Sequence, residues 1–566
     1  MALRVSLAAL AAVLLAVSAP AQGISAETPL RPVTGALAIT DARVVVAPGR
    51  VLDRATVVVR DGRIVAVGRD ADVPFDARRI AGDSLTVYAG FLDALGYAGV
   101  PEPEDPDDYE GDRGDPPRER AGVTPDRDVR TLFNAGDVRI DQLRRAGFTA
   151  AHVAPRDGLF SGQGTVVLLR EVGRGERGDA LVLTDPLSLI ARIDTAPGVY
   201  PGTPMGVLAV MRESVENARR RRASADREVR AAYAPALDAL SPLLDGERAF
   251  VFVVDGWLDG FRALRASSEM GLTPVLAGVP DVAPLADRLA AEGVSVFAPL
   301  ALPDTVAADS AAQALPPPTT TPGGVSFVTN RRTRSYRDTD SELTALTGQR
   351  RAAVARADAS PAVLASREIP FAFATLGVKP TDVHANLVRM VAAGLAPEAA
   401  LGALTTGPAE ILGLDGSLGT VERGKLANLV VTRGDLFTDS TQIRHVIVEG
   451  VAYEIEARAT PAGADPTAVV QATGTWDFVA TTPDGSQSGT FTLTGDAGSL
   501  TGSLTAAGET DPFTSVALDG NALTFTFSSS QFGEVTVAGV ITGDQFEGLA
   551  TLALGEIPLS ATRRPE

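Results

Sequence analysis

Histidine, cysteine and clustered carboxylates carry most metal and nucleophilic chemistry, and this sequence is poor in the first two. It has no cysteine and three histidines, His152, His384 and His445. Disulfides, cysteine-ligated zinc and cysteine nucleophiles are thereby excluded. His152 closes the run Phe148-Thr149-Ala150-Ala151-His152, which reads as a strand end. It is either a site residue or a hydrogen-bonded structural one. Asp157 follows five residues later, and Asp255 comes directly after the apolar run Val251-Phe252-Val253-Val254. Two carboxylates near strand ends could do acid–base work without a metal, or could simply cap loops and helices. His152, Asp157 and Asp255 are therefore the candidate catalytic residues. Between them, Gly162 and Gly164 punctuate what reads as a loop over Ser161 to Thr165. These glycines allow close backbone approach. No Lys follows them, so the stretch is not a phosphate loop. His384, shortly after Pro380 at a helix start, reads as a surface or capping residue.

The elements that must position these groups alternate. Thr149 to Val153, Val166 to Leu169, Phe250 to Val254, Pro274 to Ala277, Ser295 to Ala298 and Phe371 to Thr375 read as strands. Val138 to Arg145, Gly206 to Arg222, Leu258 to Met270, Ala283 to Ala291 and Ser341 to Ala357 read as helices. That alternation predicts an α/β fold with a (β/α)8 TIM-like barrel, whose sites lie at the C-terminal ends of the strands. Pro101 to Arg120 and Pro316 to Thr321 read as loops. Ala36 to Val67 is β-rich, with turns at Pro48-Gly49 and Asp61-Gly62. From Gly474 to Thr562 the composition shifts to Thr, Gly and Ser among alternating apolar residues, which predicts an antiparallel meander closed as a small barrel. It is either a binding module or a stabilising appendage.

One stretch resembles a known family. From Leu395 the chain reads LAPEAALGALTTGPAEILGLDGSLGTVERGKLANLVV. The helix, the Gly407-Pro408-Ala409 turn and the run Gly424-Lys425-Leu426-Ala427-Asn428-Leu429-Val430-Val431 resemble the C-terminal signature of the amidohydrolase superfamily, in its imidazolonepropionase-like branch. ARVVVAPGRVLDRATVVVRDGRIVAVG resembles the first half of that family's β-sandwich, and IRHVIVEGVAYE falls in its second half, which would put His445 far from the barrel mouth. The resemblance implies a composite sandwich of residues 36–86 and 415–457 around a barrel of residues 87–414. It also implies hydrolysis of a non-peptide C–N bond by a divalent metal held by an H-x-H, further histidines and an Asp. Here the H-x-H positions align with Leu95 and Tyr97, a later histidine with Val253 or Val254, another ligand with a place near Gly278, and the Asp with Leu376. None of these can usefully bind a borderline divalent metal. The expectation is a catalytically impaired relative with no cofactor, a divalent metal returning only if the family chemistry is retained. The alternative is a non-catalytic relative that binds a small molecule or a protein.

Length and charge bound the rest. The 566 residues suffice for several domains, and a formal net charge of -19 disfavours nucleic acid and anionic membrane as partners. Arg4, the apolar run Leu7 to Val17 and Ala19-Pro20-Ala21 read as a signal over residues 1–21, with cleavage before Gln22 and export to periplasm or medium. A linker over 458–472 precedes the C-terminal β-domain, 473–563.

Overall fold

The computed structural model describes residues 35–103, 109–173, 176–224, 234–303, 339–438, 441–455, 468, 470–482, 485–495, 500–506, 508–529, 533–552 and 555–564. The export signal, most of the linker and the 316–321 loop lie outside them. The chain divides into two compact units, Met1–Ile455 and Glu456–Glu566. Among the described residues no helix is long and apolar enough to cross a membrane.

The first unit opens with β1 (Ala36–Ala47), β2 (Arg50–Arg60), β3 (Arg63–Gly68), β4 (Arg78–Ala81) and β5 (Thr86–Ala89). Asp61 and Gly62 take φ of 51° and 76°, the conformation an Asp-Gly hairpin turn needs. The barrel follows, with β6 (Phe91–Gly96), β7 (Phe148–Val153), β8 (Phe160–Leu168), β9 (Ser188–Arg192), β10 (Ala249–Val253), β11 (Pro274–Ala277), β12 (Val296–Pro299) and β13 (Phe371–Ala374). Each pairs with the next. All run parallel except β8, which is antiparallel to both neighbours. The chain then returns through β14 (Leu429–Arg433), β15 (Gln442–Val448) and β16 (Val451–Glu454), which complete the first sheet in the order β16-β15-β14-β5-β1-β2-β3, with β4 beside β1. The two ends of the family-like region thus meet in one sheet.

Three details differ from the sequence expectation. Val87 to Ala89 do not open the barrel, because β5 pairs with β14 and β1 in the sandwich sheet. The chain crosses between the two at Gly90, where a Cβ would lie 2.3 Å from Thr149 Oγ1. Ser161 to Thr165 are not a loop but the middle of β8, fully buried between two strands. Gly162 and Gly164 mark close approach there rather than a turn. Ser188 to Arg192, not read as a strand, is β9, a five-residue run too short to show its period.

The second unit is a closed barrel of β17 (Gly474–Thr482), β18 (Gly485–Thr494), β19 (Thr501–Ala506), β20 (Glu509–Asp519), β21 (Ala522–Ser529), β22 (Gly533–Thr542), β23 (Gln545–Leu552) and β24 (Gly555–Arg563), with β24 paired back to β17. The sequence reading lacked β20, whose Pro512 argues against a strand. Eight strands leave an interior that side chains can fill or one small ligand can occupy. Here aromatic rings fill it. Trp476 is fully buried, stacked on Phe491 with centroids 5.8 Å apart, and donates from Nε1 to Ala472 O at 2.9 Å.

This closure predicts that residues 470–566 fold alone. The isolated fragment should melt cooperatively, and Trp476→Ala should cost about 3–5 kcal/mol. A broad, non-cooperative transition in circular dichroism would show that the module needs the first unit.

Candidate functional site

Alternation along the barrel strands separates an inner from an outer face. Leu92, Ala94, Ala150, Val166, Ile190, Val251, Val253, Ala277, Phe297, Ala372 and Ala374 belong to one core cluster inside the barrel. Val254 belongs to the outer cluster, so Val253 is the inward residue of that pair. His152 is completely buried, between Ala94 of β6 and Ser188 of β9. Its Nδ1 lies 2.7 Å from Ala94 O and its Nε2 2.7 Å from Ser188 Oγ. A carbonyl only accepts, so Nδ1 carries the proton and Nε2 accepts from the serine hydroxyl. Burial, the largest cause, pushes His152 down to about 4, opposed by the Ala94 bond. The ring is neutral and has no free lone pair. Gly164 makes room for it, since a Cβ there would lie 2.5 Å from Ser188 Oγ and 2.6 Å from His152 Nε2.

Asp157 and Asp255 are placed differently. Asp157 accepts an ion-paired hydrogen bond from Arg127 at 2.7 Å, and Asp255 is exposed beyond β10. Neither bonds to His152, so the three candidates form no single constellation. His384 is half-buried and lies 2.9 Å from Thr438 O through Nε2. His445 is half-buried on β15, and burial lowers its pKa.

What the mouth gathers instead is Tyr97, Arg156, Arg192, Asp194 and Asp255. Arg192, the last residue of β9, hydrogen-bonds the Tyr97 hydroxyl through Nη2. Arg156 stacks its guanidinium 4.6 Å from the Tyr97 ring centroid. Burial raises the Tyr97 phenol; Arg192 opposes the rise, and Asp194, Asp93 and Asp255 add to it. Asp194 keeps solvent access, yet desolvation raises its carboxyl most, with Arg192 opposing and Asp255 and Asp157 adding.

Asp93 sits below, at the seam where β6 meets β13. Its Oδ1 accepts from Thr375 N at 2.8 Å and its Oδ2 from Thr375 Oγ1 at 2.5 Å. It is fully buried with no cation beside it, and burial pushes it up to about 6 against three hydrogen bonds. Asp93, Arg156, Ser188, Arg192 and Asp194 were not singled out in the sequence. For Arg192 and Asp194 the available signal was the apolar run Leu187 to Ala191 between Asp185-Pro186 and Pro197-Gly198.

The positions aligned with family metal ligands form an apolar patch. Leu95 is fully buried, and its carbonyl accepts from Leu376 N at 3.3 Å. Leu376 takes φ of 28°, a left-handed value rare for a leucine. Its Cδ1 lies 3.7 Å from where a Cβ on Gly278 would be. Among the described residues no three His, Cys, Asp or Glu side chains converge as a metal-binding group. A divalent metal of the family type needs nitrogen or oxygen lone pairs, and this donor set of two leucines, a valine, a glycine, an engaged phenol and an engaged imidazole does not fit it.

The Amidohydrolase family profile matches residues 354–453, from the helix that precedes β13 into β16. Among solved structures, an amidohydrolase from Thermotoga maritima MSB8 superposes with a TM-score of 0.55 at 21% identity, over 74% of this chain and 100% of that one. Molinate hydrolase aligns at 15% identity over 77% of this chain and 98% of that one, with a TM-score of 0.39. No curated protein matches the sequence. Residues 354–453 thus match the Amidohydrolase family, and the chain shares its fold with the Thermotoga protein over 74% of its length.

The two perturbed groups oppose each other in pH. His152, at about 4 against a usual 6.5, contributes stability that is full above pH 6.5 and is lost as pH falls toward 4. Asp93, at about 6 against 3.8, contributes stability that is full below pH 3.8 and is lost as pH rises through 6. Each is worth about 3 kcal/mol. Asp93→Asn removes only the second. Relative to wild type it should lose about 3 kcal/mol between pH 7 and pH 4. The measurement is urea unfolding followed by Trp257 fluorescence in a Trp476→Phe background; parallel pH profiles would contradict the assignment.

Proposed function

We propose that this is an exported amidohydrolase-fold protein that has lost the family's metal chemistry and binds a small molecule at the barrel mouth. In the family a divalent metal lowers the pKa of bound water to roughly 7, and an adjacent carboxylate takes the proton. The observation that carries the proposal is the chemistry at the aligned positions, where Leu95, Val253 and Leu376 present apolar groups, Gly278 none, and Tyr97 a hydroxyl bonded to Arg192. An apolar lining disfavours an ion, because nothing replaces its hydration shell. The fold keeps the open end of the barrel and lines it with partly exposed polar groups, which suits a ligand. The acidic surface supports a small molecule rather than nucleic acid or an anionic membrane.

Elemental analysis after dialysis in a non-chelating buffer should find no stoichiometric zinc, manganese or iron. About one transition metal per chain would revive the hydrolase.

Export rests on Arg4, the apolar run Leu7 to Val17 and Ala19-Pro20-Ala21, in that order. N-terminal sequencing of protein from its native host should start at Gln22. A retained Met1 would contradict a cleaved signal.

A further inference from the structure

The geometry points to Arg192 as the anchor for the carboxylate of a zwitterionic, amino-acid-like ligand, held between β9 and the Tyr97 hydroxyl. This assignment rests on the metal-free reading and adds the ligand class to it. On β9, Ser188 and Ile190 face the barrel interior, and alternation puts Arg192 on the same face at the mouth end of the strand. A guanidinium has five N–H donors. Among the described residues the Arg192 side chain makes one hydrogen bond, to Tyr97, and no ion pair, and its Nε is buried without a partner. Arg156, on the same Tyr97 ring, shares the unpartnered buried Nε but pairs with Glu102 at 3.5 Å. A planar fork with open donors at the mouth of a barrel matches a carboxylate, which can take two of them at once.

Tyr97 completes the receptor. Its oxygen accepts from Arg192, so its own O–H is free to donate to the same ligand oxygen. Arg156 lies on the ring and holds it in place. Asp194 and Asp255 both act on the Tyr97 hydroxyl that Arg192 holds, and neither is ion-paired with Arg192. A ligand that carries an ammonium group beside its carboxylate satisfies both signs. Directly after Asp255, Trp257 and Leu258 are 40% and 54% exposed, an apolar shelf for the ligand side chain.

Three compounds sharing one side chain test this on the full-length protein by thermal shift and calorimetry. L-leucine has both charges, 4-methylpentanoate lacks the amine, and 3-methylbutylamine lacks the carboxylate. L-leucine should raise Tm in proportion to log concentration. The acid should bind more weakly, and the amine should give no shift. Arg192→Gln should weaken L-leucine at least about tenfold, and Asp194→Asn should bring the acid level with L-leucine. The unliganded melt of Arg192→Gln reports its folding. Tyr97→Phe keeps the ring under Arg156 and should weaken L-leucine by a smaller factor. The assignment is overturned if the amine binds as well as L-leucine, if folded Arg192→Gln binds undiminished, or if none of the three shifts Tm. Metal content of the same sample separates the two failures. A metal-free protein that ignores all three compounds refutes the ligand class alone, and a stoichiometric transition metal refutes both.

Discussion

A neutral imidazole sealed inside the barrel constrains everything around it. His152 donates to Ala94 O and accepts from Ser188 Oγ, which ties β7 to β6 on one side and to β9 across β8 on the other. The arrangement demands a glycine at 164 and a hydroxyl at 188, and burial favours the uncharged ring. Both ring nitrogens are engaged and the ring is buried beside Phe297 and small aliphatic side chains, so in this arrangement it braces the strands around it.

The mouth follows from that strut. With its histidine withdrawn into the interior, the barrel presents at its rim what the strand ends carry next. On β9 this is Arg192, and beyond β10 it is Asp255. At β6 and β13 the strands are clasped by Asp93 and Thr375, and Leu376 turns over Gly278 with a left-handed backbone. A strained residue at a strand end of this kind persists only where its surroundings over-determine it. Here the Leu95 carbonyl and the Asp93 clasp do so.

Much of the fold was legible in the sequence. The run from Leu395 to Val431 has its own turns and strand, so a local pattern sufficed for the family resemblance. Alternating helices and strands sufficed for the barrel. The glycines at 162 and 164 misled, because a glycine reads as a turn when the cause is a neighbour far away in sequence, the Arg127 carbonyl for Gly162 and the Ser188 hydroxyl for Gly164. Strand β9 was missed because five buried residues carry no period, and with it went Arg192 and Asp194. Asp93 carried no signal of its own, since its clasp joins residues 282 apart in sequence. His152, Asp157 and Asp255 were chosen by type and by nearness to strand ends. What the sequence could not show is direction. His152 faces inward and is satisfied there, and Asp157 is held by Arg127.

The central claim is that the family's metal site has been replaced by an apolar patch and an engaged imidazole. Anomalous diffraction from crystals grown with zinc, collected on both sides of its absorption edge, tests this most directly. The account predicts no anomalous peak within the first unit's barrel. A peak about 2.0–2.3 Å from His152 Nε2 and a carboxylate oxygen, with the Ser188 hydroxyl displaced, would contradict it.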